Sequence, residues 1–240
     1  MNTTGTLYGV GVGPGAPDLL TLRAVDVLGR VEVILAAASP NNDYSAALNA
    51  ARPYLHPDAR ILRLEFPMTR RKDSLREAWN AAAQKVREVL EGGENAAFLT
   101  IGDPLIYSTF GYLLRTLQES APIPPVRIVP GITSFQAAAA RTATVLCEGV
   151  ESLRILSGLN DEEELFHELE GADTVALLKV YRNAPAVAGA LRRAGRDADC
   201  LLASHVERVG ERLVRGIEGV DPDIADAAPP YMSLILSRKP

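Results

Sequence analysis

Residues 9–21 read GVGVGPGAPDLLT, with four glycines in seven positions. A glycine-rich turn brings backbone close to a ligand or to another strand, where a side chain would not fit. Gly11-Val12-Gly13-Pro14-Gly15-Ala16 satisfies the G-x-G-x-x-G/A spacing of a dinucleotide turn. Pro14, however, has no N–H at a position where pyrophosphate needs a donor. No acidic residue closes the second predicted strand, which ends in AAASP, and no GxxxxGK[ST] string for cradling a polyphosphate occurs in the chain. Two further loops join a glycine to proline and small polar residues: IGDPLIYSTF (101–110) and VPGITS (129–134). Loops of this kind offer N–H and C=O groups and almost no charge. They suit a neutral or zwitterionic ligand, such as an adenine-bearing cofactor, better than a polyphosphate.

The elements that must position these loops follow from hydrophobic periodicity. Strands are predicted at 6–12, 31–37, 60–66, 95–102 and 126–131. Helices are predicted at 19–28, 45–54, 74–91 and 107–119. Alternation of strand and helix implies crossover connections and a mainly parallel sheet, and puts all three loops after strands, where open parallel sheets bind ligands. Beyond about residue 140 the pattern changes. Strand candidates at 152–158, 174–180, 198–206, 212–217 and 231–237 are joined by helices at 162–169 and 186–194 and by segments without a helix. The expectation is two α/β domains, residues 1–137 with a five-stranded sheet covered by helices on both faces, and residues 138–240 with a mixed sheet.

The 240 residues are 47% hydrophobic and 23% charged, the composition of a folded protein. Residues 1–137 carry 13 basic and 13 acidic side chains and the remainder 12 and 17, so no basic face points to nucleic acid. Cys147 and Cys200 form no CxxC pair, and His56, His167 and His205 lack metal-ligand spacing, so no metal site is expected. No apolar run approaches a membrane span, and no signal peptide opens the chain, so a cytoplasmic protein is expected.

Together, GVGPGAPDLLT, Gly102-Asp103-Pro104 and Pro130-Gly131-Ile132-Thr133-Ser134, in this order and spacing, resemble the tetrapyrrole methylases of cobalamin and siroheme synthesis. The likeness extends from Thr6 to the terminal YMSLILSR. FPMT (66–69), GDPLIYSTF and VPGITSF look like the branch acting on C20 of precorrin-2 or cobalt-precorrin-2. AAASPNN (36–42) lacks the acidic residue of relatives that methylate uroporphyrinogen.

The resemblance implies S-adenosylmethionine as cofactor, bound in a cleft between the two α/β domains, with S-adenosylhomocysteine as product. It assigns Pro14, Ile101, Gly102, Asp103, Leu105, Ile106, Thr133 and Ser134 to the cofactor, joined from the second domain by Lys179, Val206, Met232 and Ser233. The substrate is expected to be a small-molecule tetrapyrrole bearing carboxylates, for which Arg70, Arg71, Lys72 and Arg182 are candidates. Tyr107 is the candidate to assist the proton lost from the methylated carbon. A homodimer is expected from relatives. The alternatives are another precorrin, the diphthamide precursor, or a non-enzymatic nucleotide-binding module, and the length and patterning of the second half speak against the last.

Overall fold

In a computed structural model, residues 4–38, 45–67, 69, 71–119, 121–158, 161–217 and 229–239 are described. The chain forms two compact units, Met1–Thr133 and Ser134–Pro240.

The first unit contains strands β1 (Leu7–Gly11), β2 (Val33–Ala38), β3 (Arg60–Glu65), β4 (Ala96–Thr100) and β5 (Val126–Val129), all parallel, in the order β3-β2-β4-β1-β5. Its helices are α1 (Leu22–Leu28), α2 (Ala46–Ala51), α3 (Lys72–Glu91) and α4 (Thr109–Gln118). Successive strand residues point to opposite faces, and both faces are apolar. Val10, Ile34, Ala97 and Leu99 pack with α1 and α2. Leu7, Val33, Leu35, Ala96 and Phe98 pack with α3 and α4. The predicted five-stranded sheet with helices on both faces is therefore present.

Helix starts follow side-chain caps rather than the first apolar residue. Thr21 Oγ1 accepts from Ala24 N (3.2 Å), so α1 begins at Leu22 and a 3-10 turn fills Pro17–Leu19. Ser108 Oγ accepts from Phe110 N (3.0 Å), so α4 begins at Thr109 and leaves Tyr107 in the preceding loop. Gly9 matters to this packing: a Cβ there would lie 2.4 Å from the buried Phe110 ring.

The second unit contains α5 (Ser134–Thr142), β6 (Leu153–Ser157), α6 (Glu162–Glu170), β7 (Thr174–Leu178), α7 (Ala184–Arg193), β8 (Leu201–Ser204), β9 (Arg212–Arg215) and β10 (Ser233–Arg238). Its sheet runs β6-β7-β10-β8-β9 and is mixed. β6 and β7 are parallel, while β10 is antiparallel to both β7 and β8. Asp161 caps α6 through Glu164 N (3.0 Å), and Glu162–Glu164 occupy the first turn, where the helix dipole favours acids.

Among the described residues of this unit, one charged side chain is buried. Arg196, 1% exposed, donates to the carbonyls of Leu169, Ala172 (2.6 Å), Asp173 (3.3 Å) and Ser237 (3.3 Å). It thereby ties the end of α6 to the start of β7 and the end of β10. Burial lowers its pKa, partly offset by Glu170 and Asp173. Replacing Arg196 with Met should cost about 3–5 kcal/mol, because several buried carbonyls lose their donors together. Arg196→Lys should recover only part, since an ammonium lacks the planar fork. Urea denaturation followed by circular dichroism measures both, and a loss below about 1 kcal/mol for the Met variant would show that the clamp contributes little.

Candidate functional site

Because the first sheet is parallel, the loops after β1, β4 and β5 open at the same end. The β1–β4 ladder continues past the strands: Val12 N donates to Thr100 O (2.9 Å) and Gly102 N to Gly13 O (2.8 Å). Three glycines then meet. A Cβ on Gly11 would lie 2.5 Å from Gly102 O and 2.6 Å from Gly131 N, and one on Gly131 would lie 2.2 Å from Gly102 O. These separations admit no side chain. At Gly102 the constraint differs: φ is +73°, yet among the described residues an added Cβ comes only within 3.8 Å of Thr133 Cα. Space is open there, and only the left-handed backbone demands glycine.

Asp103 holds this arrangement from beside the glycines. Its Oδ1 accepts from Leu105 N (2.8 Å) and its Oδ2 from Gly131 N (3.0 Å). The carboxylate thus links the loop after β4 to the loop after β5, across the end of the intervening β1.

Of the residues assigned to this unit, Pro14, Ile101, Gly102, Asp103, Leu105, Ile106, Tyr107 and Thr133 all lie at this end of the sheet. Pro14, Gly102 and Thr133 are buried, Ile101 packs against the α1 side of the core, and Leu105 is 59% exposed. Tyr107 has φ +48° and is 52% exposed at the loop. Arg71 and Lys72 are exposed at the start of α3, which follows β3, the edge strand, so β2 separates their strand from β4. Two cations at a helix N-terminus oppose its dipole. Arg70 lies outside the described residues.

The second unit gathers its own group at one end of its sheet. Lys179 follows β7, Val206 follows β8, and Met232 and Ser233 enter β10, which runs the other way. Lys179 N donates to Ser233 O (3.1 Å) and His205 N to Met232 O (2.9 Å). The hydroxyls of Ser204 and Ser233 are 3.0 Å apart, and Ser233 also donates to Pro230 O (2.6 Å). Val206 and Ser233 are 4% and 5% exposed. Lys179, His205 and Glu207 are left-handed at φ +62°, +49° and +58°, so sharp turns end β7 and β8 without glycine. Desolvation, then the Arg182 charge, lowers the Lys179 pKa although much of the residue is exposed. Ser134 is partly buried at the first position of α5. Arg182 is exposed one turn beyond Lys179, next to Tyr181 and Tyr231, two aromatic residues that sequence reasoning did not single out.

Among the described residues there is no group of three His, Cys, Asp or Glu side chains fit to hold a metal, and no helix long and apolar enough to cross a membrane. The first unit presents turned backbone, one braced carboxylate and little free charge. That arrangement can hold a zwitterionic ligand by backbone contacts and give it a fixed orientation.

The sequence profile of the Tetrapyrrole (Corrin/Porphyrin) Methylases matches residues 6–219. The chain is 34% identical over 235 residues to the cobalt-precorrin-2 C(20)-methyltransferase of Salmonella typhimurium, covering 98% of this chain and 97% of that protein. It is 33% identical over 242 residues to the precorrin-2 C(20)-methyltransferase of a Sinorhizobium species, covering 97% and 94%. The fold is shared with the uroporphyrin-III C-methyltransferase of Thermus thermophilus, solved in complex with S-adenyl homocysteine. There the TM-score is 0.69 at 24% identity, with 98% of each chain covered.

The glycine contacts separate two kinds of substitution. Gly131→Ala and Gly11→Ala place a methyl against backbone that cannot yield, and each should cost about 2–4 kcal/mol. Gly102→Ala meets only left-handed strain and should cost about 1–2 kcal/mol. Thermal unfolding of the three variants compares them, and equal losses at Gly102 and Gly131 would remove close packing as the constraint.

Proposed function

The chain belongs to the tetrapyrrole (corrin/porphyrin) methylases, and within that family we propose that it transfers a methyl group from S-adenosylmethionine to the C20 meso carbon of precorrin-2 or of its cobalt complex, in cobalamin biosynthesis. The observation that carries this reading is identity of about one third, over nearly the whole length, to two enzymes named for that position. The open space at Gly102, beside backbone N–H groups that the Asp103 carboxylate holds in place, suits the methionyl part of the cofactor.

Bound S-adenosylmethionine supplies an electrophilic methyl on a sulfonium, already a good leaving group. The meso carbon would attack that methyl in line, the carbon–methyl bond forming as the methyl–sulfur bond breaks and S-adenosylhomocysteine leaves, and the methylated carbon would then give up its proton. The protein's task is chiefly orientation, which by itself lowers a barrier by roughly 7–11 kcal/mol. Pro14, Ile101, Gly102, Asp103, Leu105, Ile106 and Thr133 of the first unit, with Ser134, Lys179, Val206, Met232 and Ser233 of the second, are the proposed cofactor residues. Asp103 acts here through Gly131 and Leu105, whose N–H groups it fixes. Tyr107 is assigned to assisting the proton's departure, and Arg71, Lys72 and Arg182 to the substrate's carboxylates. The same proposal includes a cytoplasmic homodimer. Cys147 and Cys200 are both free thiols, as in proteins of a reducing compartment. Light scattering after size exclusion reads the assembly.

Purified protein given labelled S-adenosylmethionine with precorrin-2 and, separately, with cobalt-precorrin-2 should place the label at C20, read by NMR. Label at another carbon, or none with either substrate, overturns the reading. Calorimetry on Asp103→Ala should show S-adenosylhomocysteine binding weakened about tenfold or more, because Gly131 and Leu105 lose their acceptor. Unchanged affinity would detach this carboxylate from the cofactor site. Alanine at both Arg71 and Lys72 should raise KM for the tetrapyrrole at low salt, with a smaller effect at high salt. A KM equal to that of the unaltered protein at both salt concentrations removes these residues from the substrate site.

A further inference from the structure

At the end of β7 the chain makes a left-handed turn at Lys179 and one 3-10 turn over Val180–Arg182. This places Tyr181 beside Tyr231, which precedes β10, with ring centroids 5.1 Å apart and planes at 63°. Arg182 folds back on the same group. Its guanidinium carbon is 5.4 Å from the Tyr181 ring centre, and its Nε donates to the Tyr181 hydroxyl (2.6 Å). Tyr231 is 54% exposed. Two aromatic faces and a pre-set guanidinium therefore share one surface of the second unit.

The charges here are unbalanced. Burial, and then the neighbouring Arg182 charge, lower the Lys179 pKa, and among the described residues neither Lys179 nor Arg182 forms an ion pair with a carboxylate. Elsewhere in this unit four arginines form ion pairs: Arg141 with Glu211, Arg154 with Glu168, Arg193 with Glu163, and Arg238 with Glu151. Arg182 commits one donor to a phenol and keeps the rest of its fork available, the geometry that matches a carboxylate. Two like charges without a counterion are relieved by an anionic ligand, and paired aromatic faces favour a flat one.

We propose that Tyr181, Arg182 and Tyr231 form a recognition patch for one carboxylate-bearing edge of a tetrapyrrole, the tyrosine rings contacting the macrocycle and the arginine its carboxylate. The proposal rests on the substrate class argued above and adds the two tyrosines as specificity-determining residues. Arg182 is held ready by Tyr181, so the two act as one unit, and Tyr231 supplies the second face.

Uroporphyrin III, a stable tetrapyrrole polycarboxylate, serves as the probe, titrated by fluorescence into the full chain without any turnover. Arg182→Gln should weaken its binding about threefold to tenfold at low salt, less at high salt, with Arg182→Lys in between. Tyr231→Leu should weaken it about threefold or more at both salt concentrations, since a lost ring contact is not screened. S-adenosylhomocysteine affinity, measured on the same variants, should stay within twofold of the unaltered protein. Failure of the unaltered protein to bind the probe, variants that bind it equally well, or a parallel loss of S-adenosylhomocysteine binding would each overturn the patch. Methylation at C20 of precorrin-2 by the unaltered protein is scored separately. Success there with unaffected probe binding by the variants rejects the patch alone. Patch-dependent probe binding without methylation rejects the C20 reading alone.

Discussion

A single carboxylate spanning three strands sets the geometry on which the first unit's functional end depends. Asp103 leaves the loop after β4 and accepts a hydrogen bond from the loop after β5, with β1 lying between. The bridge exists only because β1 finishes in Gly11. A methyl there would sit 2.6 Å from Gly131 N, the group that Asp103 holds. The aspartate and the three glycines are therefore one device. Gly11 and Gly131 remove the side chains that would keep the loops apart, Gly102 supplies the left-handed turn, and the aspartate supplies the acceptor that keeps them together. Both parts are needed before any backbone group at this end has a fixed direction, and a fixed direction is what methyl transfer by in-line displacement asks of a protein.

Much of this was legible in the sequence, for identifiable reasons. Buried parallel strands are continuous apolar runs, so AAFLT and VILAAA stood out, and their spacing by helical patterns gave the sheet its direction. The three glycine-bearing loops were visible because glycine and proline mark turns by their own chemistry. What stayed hidden was pairing at a distance. Gly131 N and the Asp103 carboxylate are 28 residues apart, and no local pattern reports their bond. Tyr181 and Tyr231 are separated by more of the chain still, and meet only because β10 lies antiparallel to β7. Helix starts were misplaced where a cap decided the matter, as at Ser108, and this is why Tyr107 belongs to a loop rather than to a helix. The α5 segment SFQAAAART went unread because its alanines give little amphipathic contrast.

The second unit reaches a comparable result by other means. Its turns at Lys179 and His205 are left-handed without glycine and so carry side chains, as Tyr107 does in the first unit, where Gly13 and Gly102 turn without one. The first left-handed position thus divides these strand ends: Gly13 after β1 and Gly102 after β4, against Lys179 after β7 and His205 after β8.

Arg196 gives that division a further meaning. It grips Asp173 O and Ser237 O, which lie at the opposite ends of β7 and β10 from Lys179 and Ser233. The cohesion of this sheet is therefore anchored away from the surface that carries Tyr181, Arg182 and Tyr231. Substitutions in the proposed patch leave the Arg196 contacts untouched, so they can alter ligand recognition there without removing this tie between the strands.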